Sequence, residues 1–259
     1  MDRYKKSLGQ NFLTDKNIIH KLLSHVPNNI DIIEIGTGSG NLTIELANHT
    51  TNNIKSYEVD TMAYEEAAER LVDFKHVELI LEDFLQAEVT PDNKCIVVAN
   101  IPYYITSPII EKCLNIPNVM DIYIMIQKEM AERVIAVPSI KNYSSFSIFC
   151  QTRAECKKLF NVANTCFTPA PKVDSAYIKL TPTTKYLSQI NNLDIYNKIV
   201  RNSFWGKRKT LMNCLVKGPY IKFRKEDLIP TFQQLGLIET IRGQQLSVEQ
   251  FIKLANAII

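Results

Sequence analysis

The chain has 259 residues, 46% hydrophobic and 22% charged, with a net charge of +3. This is a globular composition with ample apolar material for a core, which excludes disorder over most of the length. The size suits one large domain, or a large domain with a small one attached. No apolar run approaches the roughly 20 residues of a membrane-spanning helix. The opening MDRYKKSLGQNF carries early positive charge with no apolar stretch behind it, so no secretory signal is expected. The charge is unevenly divided: residues 1–184 hold 18 Lys+Arg and 22 Asp+Glu, for −4, and residues 185–259 hold 12 and 5, for +7. A basic segment of this kind suits a polyanionic partner or a solvated basic helix.

In chain order, residues 30–35 (IDIIEI) form an apolar run ending at a glycine cluster, as a buried parallel strand does. A helix is expected over 41–49, with Leu42, Leu46 and Ala47 on one face. Strands are expected at 54–59, 77–81, 95–99 and 122–126, and a helix at 63–72. Strands alternating with helices predict a doubly wound, mostly parallel α/β sheet. Apolar alternation at 173–180 predicts a late edge or hairpin strand, and the turn-rich TPTT at 181–184 marks a boundary. The two domains are thus 1–184 and 185–259, the second helical. Ser247 and Gln250 in that segment have the spacing of a capping box. The six cysteines form no Cys-x-x-Cys pair and do not interleave with histidines, so no metal site is expected. Cys95, Cys113 and Cys150 read as buried free thiols, which points to a reducing, cytoplasmic compartment.

Chemistry concentrates at the strand ends. Glu34-Ile-Gly36-Thr-Gly38-Ser-Gly40 follows the first strand and opens a helix, where glycine lets the backbone turn and approach a ligand. A dinucleotide fingerprint wants glycine at position 41, which is Asn41; G-x-G-x-G with an acid two residues before it is more typical of S-adenosylmethionine sites. The bland alternative is a structural glycine turn. Glu58 ends the second strand 22 residues after Gly36, where a carboxylate can accept both ribose hydroxyls. Asp83 ends the third and can accept from an adenine amine.

The fourth strand ends in Asn100-Ile101-Pro102-Tyr103. An adenine amine is a poor nucleophile because its lone pair is delocalised into the ring. An Asn side-chain oxygen and a backbone carbonyl can accept its two hydrogens and aim the lone pair at an electrophile. Pro102 stiffens the turn, and Tyr103 offers a face on which the base can stack. The competing reading is a proline turn with a buried tyrosine.

The ordered set of SLGQNFL (7–13), EIGTGSGNLT, YEVD, EDF, NIPYYITSP, FTPAPKVDSA (167–176), KRKTL (207–211) and LSVEQF (246–251) resembles the ribosomal RNA adenine dimethyltransferases that act on small-subunit RNA. The resemblance implies a Rossmann-like class I methyltransferase with a small C-terminal helical domain. It implies S-adenosylmethionine as methyl donor, held by Asn11, Leu13, Gly36, Gly38, Glu58, Asp83 and Asn100. Asn100 and Pro102 would serve the target amine, Tyr103 and Phe167 would sandwich the flipped adenine, and Lys207, Arg208 and Lys209 would dock RNA. The implied substrate is two adjacent adenosines in a hairpin loop of an immature small subunit, and the implied enzyme is a cytoplasmic monomer with no membrane partner. Phe167 beside two prolines fits a presented aromatic or core packing under the loop. Tyr104 and Ile101 depart from the residues usual in the motif, as do Trp205 and Gly206 before the basic cluster. Three rivals are a macrolide-resistance-type methyltransferase of large-subunit RNA, a non-catalytic assembly or transcription factor on the same fold, and an NAD oxidoreductase. The serine-to-leucine opening and KRKTL oppose the first, Asn100 and Glu58 the second, and Asn41 the third.

Overall fold

The computed structural model describes residues 11–206 and 208–258. The chain divides into two compact units: one runs through Ala131 and resumes at Lys157–Pro182, and the other holds Glu132–Cys156 and the residues from Thr183 onward.

The first unit carries the sheet. Its elements are β1 (Phe12–Leu13), α1 (Lys16–Leu23), β2 (Asp31–Ile35), α2 (Asn41–His49), β3 (Ile54–Glu58), α3 (Thr61–Arg70), β4 (Val77–Leu81), β5 (Cys95–Asn100), α4 (Thr106–Cys113) and β6 (Val119–Gln127). Helix α5 (Lys128–Val134) and strand β7 (Ala154–Val162) run across the unit boundaries, and β8 (Phe167–Thr168) and β9 (Ser175–Pro182) complete the set. Seven strands pair in the order β4-β3-β2-β5-β6-β9-β7. The pairs from β4 to β6 are parallel, and β9 runs antiparallel to β6. The central strands are apolar on both faces, as parallel strands covered on both sides must be: Ile96, Val97 and Val98 are fully buried. Each such side chain contributes roughly 1.5–3 kcal/mol before the entropy of ordering it. Helix starts follow local chemistry. Asp15 accepts from the Asn17 and Ile18 N–H groups to cap α1, and Asp60 does the same for Met62 and Ala63 in α3.

Strand β9 lies inside the sheet between β6 and β7, so of the two expected placements, edge or hairpin, the edge is excluded and belongs to β7. The sequence of β7, AECKKLFNV, has no clean apolar alternation and carries paired lysines, as edge strands that avoid further pairing commonly do.

The second unit is helical: α6 (Ser145–Arg153), α7 (Leu193–Trp205), α8 (Leu211–Lys217), α9 (Lys225–Gln234) and α10 (Val248–Ile258). Tyr143 and Ile148 join Tyr196, Ile199, Leu215, Phe232 and Phe251 in one apolar core. Residues 132–156 therefore pack with the C-terminal helices although they precede position 184, and the chain passes between the units three times rather than once. Ser247 and Gln250 form the reciprocal cap of α10: the Gln250 N–H donates to Ser247 Oγ at 3.3 Å and the Ser247 N–H to Gln250 Oε1 at 2.9 Å. Cys95, Cys113 and Cys150 are buried free thiols. Among the described residues no helix is long and apolar enough to cross a membrane.

Candidate active site

Strand order reverses at β2, whose neighbours β3 and β5 lead away in opposite directions, and ligands of open α/β sheets bind at the carboxyl ends of strands beside such a point. The chain leaving β2 turns through Gly36 and Gly38, both at positive φ. A Cβ on Gly36 would lie 3.3 Å from the Asn100 carbonyl oxygen, and one on Gly38 would lie 2.8 Å from the Phe12 ring. Glycine thus lets the β2 loop abut the end of β5 on one side and β1 on the other.

Beneath the loop, the Ser56 hydroxyl donates to Glu34 Oε2 at 2.6 Å and lies 2.6 Å from Thr37 Oγ1. Glu34 is wholly buried. Burial lifts its pKa from 4.5 to about 7, against the lowering effect of the Ser56 bond.

Glu58 fastens the loop to β3. The Gly38 N–H donates to Oε2 at 2.7 Å, and the Val59 and Asp60 N–H groups donate to Oε1, each at 2.9 Å. Two bonds fill the lone pairs of Oε1, which leaves Oε2 one vacant acceptor direction. One ribose hydroxyl can bond there directly; taking both requires Glu58 to release a backbone partner. Asp83 stands exposed at the wall, one oxygen accepting from the Leu85 N–H at 2.9 Å. The Asn100 side chain makes no hydrogen bond among the described residues, and the residue lines the cavity at these strand ends. Helix α2 begins at Gly40 without a side-chain cap, leaving first-turn N–H groups beside the cavity.

Asn11, Leu13, Gly36, Gly38, Glu58, Asp83, Asn100 and Pro102 line one cavity of about 900 Å³ including its mouth, within the range of small-molecule sites. Phe84, Ile101 and Tyr104 line it too. Tyr104 is 65% exposed at the rim, and the sequence marked it only as a departure from a motif. An apolar wall, open backbone donors and the carboxylates of Glu58, Glu82 and Asp83 suit a nucleoside-bearing cofactor. Among the described residues no cluster of three or more His, Cys, Asp or Glu side chains stands ready for a metal.

Tyr103 lies outside this lining and is half-buried, its hydroxyl 2.7 Å from Ser175 Oγ at the start of β9. Phe167 requires a correction. It is 3% exposed, pairs with Leu13 in the β1–β8 ladder and packs into the sheet core, so it presents no face on which a base can stack. In the Leu13–Phe167 register the ring is buried, although Pro169 and Pro171 follow closely. Ser7 to Gln10 and Lys207 lie outside the described residues, and Arg208 and Lys209 are exposed in the helical unit.

Numbered within the large sheet alone, the strands run 3-2-1-4-5-7-6 with the seventh antiparallel, and with the glycine cradle this defines a Rossmann-like class I methyltransferase. The fold agrees with solved structures. A dimethyladenosine transferase from Plasmodium falciparum matches with a TM-score of 0.81 and 27% identity, over 94% of this chain and 95% of that one. The 23S rRNA methyltransferase ErmE matches with a TM-score of 0.74 and 25% identity, over 96% and 99%. The chain belongs to the ribosomal RNA adenine dimethylase family, whose model matches residues 1–259. The ribosomal RNA small subunit methyltransferase A of Caldanaerobacter subterraneus subsp. tengcongensis is 38% identical over 98% of this chain and 97% of its own. The protein of that name from Listeria innocua is 39% identical over 98% and 90%.

Proposed function

We propose that the protein transfers methyl groups from S-adenosylmethionine to the exocyclic amines of two adjacent adenosines in a small-subunit ribosomal RNA loop, two methyls to each. The observation that carries this reading is the meeting of Asn100 and the Gly36 loop across one cavity. Bound there, S-adenosylmethionine supplies an electrophilic methyl group. Glu58 and the open N–H groups of α2 would hold the ribose and the amino-acid end, with Asp83 at the adenine. The Asn100 amide oxygen would accept one hydrogen of the target amine and its backbone carbonyl the other, orienting the nitrogen lone pair. Pro102 fixes the turn, and the Ser175 bond holds the Tyr103 ring for stacking. The target base must be unstacked to reach these groups. Arg208 and Lys209 would contact RNA phosphates together with Lys207. The enzyme would act in the cytoplasm, as a monomer, on an immature small subunit.

A large-subunit substrate is the second reading, and the likeness to ErmE favours it. The 38–39% identical relatives named for the small subunit favour the first. Mass analysis of nuclease fragments and nucleosides from unmethylated small subunits and, separately, from unmethylated 23S RNA, each treated with protein and S-adenosylmethionine, separates them. Dimethyladenosine at two adjacent positions is expected. Methylation of 23S RNA alone would overturn the small-subunit assignment, and no methylation of either would overturn the enzymatic one.

A further inference from the structure

Trp205 is the single tryptophan of the chain and closes α7 with 45% of its surface exposed. Lone exposed aromatics are ordinary; this one sits in a patterned strip. Arg201 precedes it by one helical turn, on the same face. The Arg201 guanidinium lies 5.2 Å from the ring centroid of Tyr220, itself 48% exposed, and Lys209 Nζ lies 3.8 Å from the Trp205 ring. Aromatic and cation thus alternate through Tyr220, Arg201, Trp205 and Lys209, with Arg208 exposed in the same loop. Among the described residues none of the three cations, Arg201, Arg208 and Lys209, pairs with a carboxylate.

The local backbone builds this arrangement. The Lys209 N–H donates to the Gly206 carbonyl at 2.8 Å, which brings Lys209 back toward the helix end. A Cβ on Gly206 would lie 2.8 Å from Lys209 Cδ and 3.0 Å from Cγ, so glycine makes the room in which the lysine stem folds across the indole.

We infer that Trp205 is a stacking platform for an unpaired nucleobase of the substrate RNA, with Lys209 and Arg201 neutralising the phosphates on either side of it. The inference rests on the reading of the substrate as RNA. Indole stacks on any base, because every base has a π face, and an adjacent cation on a flexible stem can leave the ring for a phosphate as the base arrives. The +7 charge of residues 185–259 selects a polyanion over an apolar protein surface as the occupant.

Because Trp205 is the sole tryptophan, its emission reports this contact directly. The full chain is titrated with an end-labelled oligoadenylate of about ten nucleotides, within the site sizes of single-strand binders, and with duplex RNA of equal phosphate count. Label anisotropy measures binding in both cases. Quenching in step with binding of the single strand, and binding of the duplex without quenching, is expected. Trp205→Leu should raise Kd for the single strand about tenfold, and Trp205→Tyr should restore most of it. Lys209→Ala should reduce the slope of log affinity against log salt by about 0.7 to 1. Single-strand binding with unchanged emission, or equal quenching by the duplex, overturns the platform. Quenching by an acidic peptide but not by RNA would assign the strip to a protein partner and also overturns it. Methyl transfer to small subunits is followed in parallel. Transfer without quenching removes only the platform, whereas no transfer removes the reading on which it rests.

Discussion

Replacing Glu58 by alanine should loosen the glycine loop as well as weaken the cofactor. The carboxylate accepts from three backbone N–H groups, and two of these bonds, from Gly38 and Asp60, are buried. The Val59 N–H is more open and can turn to water. Hydrogen bonds to a charged acceptor are worth about 1.5–3 kcal/mol each, so losing the buried pair costs about 3 kcal/mol after the loop relaxes. Against a total of about 5–15 kcal/mol the fold survives, with a Tm lowered by roughly 6–12 °C for a unit of this size. Glutamine is no rescue, because its amide puts an NH2 toward either Gly38 or the Val59–Asp60 pair and sets donor against donor. Thermal melts with and without S-adenosylmethionine separate the two effects. Ligand at about 100 times Kd stabilises the wild type by about 2.7 kcal/mol, and at the same ligand concentration this increment should fall by half or more in Glu58→Ala, since a lost charge-assisted bond weakens binding by about 1.5–3 kcal/mol. Calorimetric titration checks the affinity itself. An alanine variant that melts with the wild type and keeps its ligand-induced shift would refute both the fastening and the binding role.

Asn100→Ala should lower kcat and kcat/KM together by about 10²-fold or more while S-adenosylmethionine affinity stays within a few-fold, because its contact with the amine strengthens as the nitrogen reacts; single-turnover methylation of small subunits checks this, and wild-type turnover would sink the amine-orienting role. The pKa of Glu34 rises from 4.5 unfolded to about 7 folded, so between those values the native state holds the extra proton and stability falls as pH rises, by about 3 kcal/mol across the window. Glu34→Gln keeps an acceptor for Ser56 and removes that dependence. Its Tm should exceed that of the wild type at pH 8 and not at pH 4, and parallel Tm profiles would count against a buried, proton-holding Glu34.

The parallel strands were legible because burial on both faces leaves continuous apolar runs such as Cys95–Ala99, bounded by residues that turn. Strand β7 was hidden because an edge strand has one poorly covered side, and its lysines break the alternation that identifies a strand. The segment 132–156 precedes the turn-rich join, so chain order alone assigned it to the sheet; the burial of Tyr143 and Ile148 in the helical core is a long-range fact. Residues that line the cavity were readable where function and backbone geometry coincide, as at Gly36 and Gly38. Phe167 was ambiguous because its neighbours describe the loop, whereas its direction is set by pairing with Leu13, more than 150 positions away in sequence. The backbone partners of Glu58 were likewise unreadable, since they depend on how closely the β2 and β3 ends approach.

The pairing of Phe12–Leu13 with Phe167–Thr168 also bears on how the protein is made. Leu13 forms part of the cavity wall and is held there by a strand that leaves the ribosome some 150 residues later. At about 5–20 residues per second of synthesis, the N-terminal segment waits roughly 8–30 s for its partner. The glycine loop and the ends of β3 and β5 can all form in that interval, yet they enclose a cleft that lacks one side. A complete cavity wall thus arrives with the late strand β8, which pairs with β1 apart from the large sheet, rather than with the glycine motif. A chain truncated before Thr168 would carry every glycine of the cradle and still lack the ladder that seats Leu13 against it.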